Sequence, residues 1–323
     1  MRPIYIPAEE TRDLITVPEV LDIVEDVFLM QARGEVTWSE PSRFTIHGRS
    51  EPIYSHVKGC ILEGVPIMGV RVVGYAVHPD GSGTSSPEST RVVVLTDPRT
   101  GRLLAIIDEH WTYAVRTTAA AVIGAKYLAR PDTRTVGVVG AGALARTGLM
   151  ALAATFRLSR VMVTSRRRES FEGFAREMSA ALGLAVAPSD SIEAVCEGAD
   201  VILVSTTAGR PLVQDRWVPP GACVISIGRD ELEHALFATV DKIVVDERRE
   251  VLRSLQTIMA EGHLTEDRIH AEIQDIVAKR RPGRERPDER ILIKTVGLVS
   301  QDVAVAYRTY EKAVAAGRGI ALA

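Results

Sequence analysis

A glycine-rich segment, TVGVVGAGALARTGL, has the residue types and spacing that bind the pyrophosphate of a dinucleotide. Gly140, Gly142 and Ala145 form a GxGxxA pattern between an apolar run that predicts a strand and an Ala-rich run that predicts a helix. The first glycine allows a tight turn, the second lets the backbone approach a pyrophosphate, and the helix N-terminus supplies amide donors. A glycine turn without a ligand is the alternative, but the strand–turn–helix context favours a cofactor site. The predicted contacts are Gly140, Gly142, Ala143, Leu144 and Ala145.

The segment VMVTSRRRES bears on which dinucleotide binds. An acid for the ribose 2′-hydroxyl is expected about 20 residues beyond the glycine turn, where this sequence has Ser165, Arg166 and Arg167. An acid would repel a 2′-phosphate, whereas a serine and two arginines could hydrogen-bond to it and neutralise it. This predicts NADP(H) as the preferred cofactor, with NAD(H) as the second choice. In the alternative interpretation the arginines are only a solvated helix start.

Two charged residues have contexts that suit substrate chemistry. Arg116 lies in a predicted helix otherwise lined by Ala, Val and Thr, so its guanidinium needs a partner, and a planar carboxylate suits its fork. An ion pair with an acid of the other domain is the alternative. Asp230 follows a predicted strand over 222–227, and a parallel sheet collects its ligands at that end, which favours a role in proton transfer. An N-cap role before ELEHALF is compatible with it.

Composition indicates a globular protein that handles small molecules. The 323 residues are 46% hydrophobic and 25% charged, which is natural for two domains. The net charge of −3 from 39 basic and 42 acidic residues gives no reason to expect nucleic acid or an anionic membrane as a partner. The three cysteines and seven histidines lack the spacing of a metal site. Without a secretion signal or an apolar spanning run, we expect a cytoplasmic protein and no membrane partner.

Segment order predicts two different domains. A helix is predicted over 12–34, and short strands separated by Gly, Pro and Asp turns are predicted over 42–107. From residue 135, strands and helices alternate, which predicts a doubly wound parallel sheet. Helical segments are predicted up to about residue 279. The tail that starts at ILIK is predicted to be helical and to return to the first domain.

The motifs together resemble the ornithine cyclodeaminase and mu-crystallin family over nearly the whole chain. The resemblance lies in RTTAAAVIGAKYLARPDTRTVGVVG with GAGALA, in VSTTAGRPLVQDRWVPPGACVISIGRD, and in IKTVGLVSQDVAVAY. It implies an α/β fold in which a Rossmann domain (118–298) is inserted into an α+β substrate-binding and dimerisation domain (1–117 plus 299–323). It also implies a homodimer and hydride transfer at the α-carbon of an amino or imino acid.

Individual residues can be matched to roles in that family. The resemblance implies that Arg116 holds the substrate carboxylate, that Arg43 in PSRFTI is a second carboxylate-binding arginine, and that Asp230 lies beside the substrate nitrogen. Asp230 and Arg116 are therefore the predicted catalytic residues. The VSTTAG segment extends the predicted cofactor site, which then also includes Ser205, Thr206 and Thr207.

Two positions depart from the cyclodeaminase pattern. Arg71, in GVRVV, stands where the cyclodeaminases have lysine, and Glu88, after the loop proline, stands where they have threonine. In the neighbouring strand, Lys58 is either an exposed lysine or the replacement for the missing ammonium. We include Arg71, Lys58 and Glu88 in the predicted substrate site. If Glu88 lies in the pocket, it pairs with Arg71 or holds the distal amine of a diamino acid.

The sequence therefore predicts an NAD(P)-dependent oxidoreductase acting on the C–N bond of a small amino or imino acid. Two other classes fit the same motifs. One is a redox-neutral cyclodeaminase that converts a diamino acid and releases ammonia. The other is a non-catalytic, NADP(H)-dependent ligand-binding protein like mu-crystallin, which the presence of both Arg116 and Asp230 disfavours.

Overall fold

The computed structural model describes residues 2–49, 53–77, 83–84 and 88–323. The chain forms two compact units, one of Met1–Arg116 with Leu298–Ala323 and one of Thr117–Gly297. Both junctions lie one residue before the boundaries expected from the sequence. The assignment of substrate binding and dimerisation to the first unit stays a prediction.

The first unit begins with a β-rich segment. Its elements are β1 (Ile4–Ile6), α1 (Ala8–Leu14), α2 (Val17–Arg33), β2 (Val36–Trp38), β3 (Phe44–His47), β4 (Ile53–Leu62), β5 (Ile67–Val77), β6 (Gly83–Thr84), β7 (Arg91–Thr96) and β8 (Leu103–Asp108). Helix α3 (His110–Leu128) follows and continues into the second unit.

The second unit alternates strands and helices. Its elements are β9 (Thr135–Val139), α4 (Ala143–Thr155), β10 (Arg160–Thr164), α5 (Arg168–Leu182), β11 (Val186–Pro188), α6 (Ile192–Cys196), β12 (Val201–Val204), β13 (Cys223–Ser226), α7 (Ala235–Thr239), β14 (Lys242–Val245), α8 (Arg248–Ser254), α9 (Gln256–Ala260), β15 (Ile269–Glu272), α10 (Ile273–Val277) and β16 (Ile291–Lys294). The chain then returns to the first unit as α11 (Val299–Ala316) and β17 (Ile320–Ala321).

The sheet of the first unit is mixed. Its described strands run in the order β17-β1-β8-β7-β5-β4-β2, with β3 added to β4 and β6 to β5. Helix α11 packs on one face of this sheet, where Val303 joins a core with Cys60, Leu62 and Ile67. Gly69 allows this close packing, because a Cβ at this position would collide with the Val303 side chain. The C-terminal helix is thus part of the first unit's core.

The N-terminal helical region differs from the single helix expected over 12–34. Thr16 caps α2 by accepting a hydrogen bond from the Glu19 amide, while the Glu19 side chain accepts one from the Thr16 amide. This capping box fixes a helix start, so the preceding turn belongs to the separate helix α1. Gly34, with φ of 74°, ends α2 in a left-handed conformation that favours glycine.

The sheet of the second unit is parallel throughout, in the order β11-β10-β9-β12-β13-β16-β14-β15. The predicted α/β fold with a Rossmann sheet is confirmed. The strand order reverses between β9 and β12, which is the point where such sheets bind ligands at the carboxyl ends of their strands. The sheet therefore directs the glycine turn after β9 and the segment after β12 to one edge.

Two strands lie where helix was expected. ILIK forms β16, which is buried between β13 and β14, so the prediction of a helical tail from that point is wrong. Helix α11 begins only at Val299. The supposed helical region up to residue 279 also contains β15. ILIK is a short run that is buried on both faces, and such a run has no period by which strand and helix could be told apart.

Candidate active site

The glycine turn has the geometry of a pyrophosphate site. Gly140 has φ of 121°, and a Cβ there would collide with the Ser205 carbonyl, so only glycine fits. Gly142 is the N-cap of α4 and faces open space, with no atom within 4 Å of where a Cβ would be. Its backbone is therefore accessible to a ligand. Ala143 is exposed and Leu144 half-buried beside it, whereas Ala145 is buried under the turn.

The segment after β12 lies against this turn. The Ser205 amide donates to the Val139 carbonyl at 3.0 Å, and Thr206 and Thr207 follow at the same sheet edge. The Ser205 hydroxyl is buried and has no hydrogen-bond partner among the described residues. A buried hydroxyl without a partner is costly, so this group fits a ligand that supplies one. Together with the open face of Gly142, it supports a bound dinucleotide.

Ser165, Arg166 and Arg167 lie beside the glycine turn. The Gly140 amide donates to the Thr164 carbonyl at 2.8 Å, which brings the end of β10 next to the turn. Arg166 and Arg167 are exposed, and neither forms an ion pair within the part of the chain that the structure describes. Arg168 differs, because it contacts Glu172 and Asp190. The first two arginines are thus available to a phosphate.

Glu231 joins the loops after β12 and β13. It is buried and accepts hydrogen bonds from the Thr206 amide, from the Gly228 amide at 2.7 Å and from the Ser226 hydroxyl at 3.2 Å. Burial raises the pKa of Glu231, and the Thr206 bond and the Lys294 charge partly offset this. Lys294, from β16, donates to the Gly228 carbonyl and to Ser226. Through these hydrogen bonds, the buried side chains of Glu231 and Lys294 hold the loop that carries Asp230.

Asp230 has a left-handed backbone conformation, which few residues other than glycine adopt. Its φ is 50°, and its side chain is 42% exposed at the carboxyl edge of the parallel sheet. Asp230 Oδ1 lies 2.7 Å from His234 Nε2, and His234 Nδ1 contacts Glu261 on its other side. The N-cap role for Asp230 is wrong, because α7 has His234 as its N-cap and begins only at Ala235.

In the first unit, Arg116 forms a buried ion pair. Its Nε donates to Asp302 of α11, and both side chains are almost fully buried. Both residues belong to the first unit, so this pair is not the interdomain pair weighed in the sequence interpretation. Arg116 Nη1 is buried with no hydrogen-bond partner among the described residues. One nitrogen of the guanidinium thus remains to donate to a carboxylate ligand.

Arg71 joins the same cluster. Its Nε donates to Glu109 at 2.6 Å and lies 3.4 Å from Asp302. Burial raises the pKa of Glu109, and the charge of Arg71 opposes this shift. Three guanidinium groups lie over the ring of Tyr113, a geometry in which cations are attracted to an aromatic face. They belong to Arg71 at 5.3 Å, Arg91 at 3.9 Å and Arg116 at 5.3 Å from the ring centre.

The other predicted substrate residues differ in placement. Lys58 pairs with Arg71 in the β4–β5 register and is half-buried rather than exposed. Burial lowers the pKa of Lys58, Asp302 opposes this, and the nearby charges of Arg71, Arg116 and Arg43 add to it. Arg43 is half-buried just before β3. Glu88 is exposed in the turn before β7. Residues 78–82 and 85–87, which precede Glu88 along the chain, fall outside the described residues.

The sequence did not reveal several residues that lie around Arg116 in the first unit and around Asp230 in the second. In the first unit they are Arg91, Glu109, Tyr113 and Asp302, and in the second unit they are Glu231, His234, Glu261 and Lys294. A signal existed for Asp302, since a lone acid in the apolar helix VSQDVAVAY needs a partner. Nothing in the local sequence around Glu261 marks it, because its contact with His234 depends on the fold.

These features place the chain in a known family. The sequence pattern of the ornithine cyclodeaminase/mu-crystallin family matches residues 4–317, and the chain belongs to that family, as its motifs predicted. No helix among the described residues is long and apolar enough to cross a membrane. The same residues contain no group of three or more His, Cys, Asp or Glu side chains that could hold a metal ion.

Similar proteins include reductases and dehydrogenases. The structure of Thermococcus litoralis Δ1-pyrroline-2-carboxylate reductase in complex with NADH and L-proline is 31% identical, covers 99% of this chain and 100% of its own, and has a TM-score of 0.91. An archaeal alanine dehydrogenase dimer with bound NAD is 27% identical, with 100% and 99% coverage and a TM-score of 0.89. Alanine dehydrogenase of Archaeoglobus fulgidus is 28% identical over 99% of this chain and 98% of its own length.

Proposed function

We propose that the protein is an NAD(P)-dependent oxidoreductase that acts on the C–N bond of a small amino or imino acid. The observation that carries this proposal is Asp230, a solvent-accessible acid held at the same sheet edge as the open Gly142 turn. Its position fits proton exchange beside a bound nicotinamide. The pyrroline-2-carboxylate reductase and alanine dehydrogenase named above act on imino or amino acids, which supports the same reaction class.

Different residues have separate parts in the proposed reaction. Arg116, with Nη1 unpartnered and Nε held by Asp302, binds and orients the substrate carboxylate. Further positive charge near Arg116 comes from Arg71, Lys58 and Arg43. Asp230 holds or removes the proton at the substrate nitrogen. A nicotinamide cofactor, when bound, supplies the hydride chemistry.

We further propose that NADP(H) is preferred over NAD(H). The relatives with NADH or NAD bound support a nicotinamide dinucleotide as the cofactor. The preference for NADP(H) rests on this chain's own residues. Ser165 occupies the position at which an acid would hydrogen-bond to the ribose 2′-hydroxyl of NAD(H). Arg166 and Arg167 are exposed beside the turn and could neutralise a 2′-phosphate.

The proposed assembly is a homodimer formed through the first unit. In the β3–β4 and β4–β5 registers, Phe44, Ile46, Ile53 and Val70 share the sheet face turned away from α11. They are 56%, 54%, 55% and 36% exposed. A patch of large apolar side chains of this kind marks an interaction surface. The archaeal alanine dehydrogenase noted above is a dimer, which supports a second copy as the partner.

Replacement of Asp230 by Asn tests the proposed reaction. Amino acids, cyclic imines and keto acid plus amine mixtures are first screened for net oxidation or reduction of the nicotinamide. With the substrate found, Asp230→Asn should lower turnover by roughly 10²–10⁴-fold, as for other lost acid–base groups, while cofactor binding and melting temperature stay unchanged. Near-normal turnover in this variant would contradict the role of Asp230. Ammonia release without net cofactor change would indicate a cyclodeaminase, and ligand binding without turnover would indicate a binding protein.

A further inference from the structure

Three titratable side chains form a chain of contacts that starts at Asp230. Asp230 Oδ1 lies 2.7 Å from His234 Nε2, and Glu261 Oε2 contacts His234 Nδ1. The His234 side chain is only 16% exposed, whereas those of Asp230 and Glu261 are 42% and 46% exposed. The imidazole therefore lies between two carboxylates, each of which reaches solvent.

This geometry fixes which nitrogen of His234 exchanges its proton with Asp230. A neutral imidazole has one N–H and one lone pair, and in the tautomer with its N–H at Nδ1 it donates to the Glu261 carboxylate. Nε2 then faces Asp230 Oδ1. Two lone pairs at 2.7 Å would repel each other, so the Asp230–His234 pair favours holding one proton on either atom. The geometry therefore places one proton between the two groups.

The surroundings of His234 favour the protonated pair. The titratable groups that face it are Asp230 on its own loop and Glu261 and His263 after α9, with the His263 ring centre 6.3 Å away. Although partial burial lowers the pKa of His234, its hydrogen bonds to Asp230 and Glu261 outweigh this and raise it above the ordinary value of 6.5. His234 thus exchanges a proton within the range where an enzyme works.

We propose that His234 is a positioning residue that shares, through Nε2, the proton that Asp230 exchanges with the substrate nitrogen. This inference rests on the proposed function. In oxidation, the substrate ammonium gives one proton to Asp230, which passes it to His234. The Cα–H bond then breaks, its hydrogen leaves with both electrons to the oxidised nicotinamide, and the nitrogen lone pair forms the C=N bond. In reduction, the iminium carbon receives the hydride, and the shared proton returns to the amine nitrogen.

The shared proton sets opposite pH dependences for the two directions. Reduction needs the shared proton in place, so its rate falls as the pH rises through the pKa of His234. Oxidation needs the pair without its proton, so its rate rises through the same pKa. Without His234, the shared proton would have only a carboxylate to hold it, and a carboxyl group is ordinarily a stronger acid than an imidazolium. Both rate transitions should then move to lower pH.

The test compares pH profiles of kcat/KM in both directions for the wild type, His234→Gln and the control His263→Gln. In His234→Gln the transition should move by more than about one pH unit toward acid, and reduction at pH 7 should fall at least roughly tenfold. His263→Gln, which removes a neighbouring ring but no hydrogen bond to Asp230, should leave the transition in place. Ionisation of the substrate is the same in every variant, so a shift between variants belongs to the enzyme.

An NMR titration of the protein without substrate separates this inference from the proposed function. The His234 imidazole should titrate above 6.5 in the wild type and lower in Asp230→Asn and in Glu261→Gln. An unchanged His234 titration in Asp230→Asn, or a kinetic transition that His234→Gln leaves in place, overturns the shared proton. Failure of the wild type to turn over any amino or imino acid contradicts the proposed function, while the coupling of Asp230 and His234 is still measured.

Discussion

At the scale of single residues, the first unit has a charge cluster that consists of Arg71, Arg116, Glu109 and Asp302. The arrangement of these side chains determines which ligand groups the cluster can bind. Arg116 and Arg71 share Asp302, and Arg71 also contacts Glu109. A buried guanidinium that already has a carboxylate partner is oriented before a ligand arrives, which lowers the cost of ordering it. The unpartnered Nη1 of Arg116 then suits the planar carboxylate of a substrate.

The neighbouring arginines after β10 allow a matched test of cofactor preference. Arg166→Ala should weaken NADPH binding by about tenfold, the effect of about 1.4 kcal/mol, and leave NADH binding unchanged. Arg168→Ala is the control, because that side chain is engaged with Glu172 and Asp190. Fluorescence titration with both cofactors measures the ratio. If wild type prefers NADH, or if Arg166→Ala leaves the ratio unchanged, these arginines are only a solvated surface.

The Arg71 position also bears on whether a diamino acid can cyclise. The distal group of ornithine must be an uncharged amine to attack the imine, but it is an ammonium at neutral pH. Lys58, Arg71 and Arg116 lie together, and their positive charges repel that distal ammonium, so ornithine should bind poorly beside them. We therefore expect no conversion of ornithine to proline with ammonia release. The true substrate should instead give stoichiometric change of the nicotinamide absorbance.

An ammonia assay and amino acid analysis after incubation with ornithine and catalytic cofactor check this prediction. Alanine and proline are run alongside as amino acids without a second amine. Proline and ammonia formed from ornithine, with no net cofactor change, would restore the cyclodeaminase interpretation.

At the scale of elements, the β9–α4 turn contains one glycine that the fold requires and one that is proposed to contact the cofactor. Gly140→Ala should destabilise the protein by about 1–3 kcal/mol, because the residue has positive φ and its Cβ would meet the Ser205 carbonyl. Gly142→Ala should leave the melting temperature nearly unchanged, because its Cβ would enter open space, but should weaken cofactor binding if a pyrophosphate lies there. Thermal melting and cofactor titration of both variants measure this. Equal cofactor affinity in Gly142→Ala and wild type would count against the site.

The same turn shows what the sequence could predict and what it could not. GxGxxA lies between two strongly patterned segments, so local rules sufficed for strand, turn and helix. ILIK has no such context, since its position between β13 and β14 is set by pairing across the sheet. Glu261 and His234 are 27 residues apart, and only the placement of α9 brings them into contact. Asp302 could have been found, because an acid within an apolar helix needs a cation.

At the scale of the whole molecule, the proposed chemistry and the proposed assembly use different faces of the first unit's sheet. In the first unit, residues that alternate along β4 and β5 point to opposite sides of the sheet. Lys58 and Arg71 share one side with Cys60 and Leu62, which pack with α11. Phe44, Ile46 and Ile53 lie on the other side. A partner that covers the outer side therefore leaves the charge cluster to the substrate.

Substitution on that outer face tests the homodimer. Ile46→Asp places a charge in the centre of the apolar patch, and burying it without a partner would cost several kcal/mol, so the dimer should dissociate. Ile320→Asp is the control, because Ile320 is 57% exposed but lies on β17, at the other edge of the sheet. Light scattering coupled to size exclusion should give a dimer for wild type and Ile320→Asp and a monomer for Ile46→Asp. A monomeric wild type, or a dimer that survives Ile46→Asp, would show that this face is not the interface.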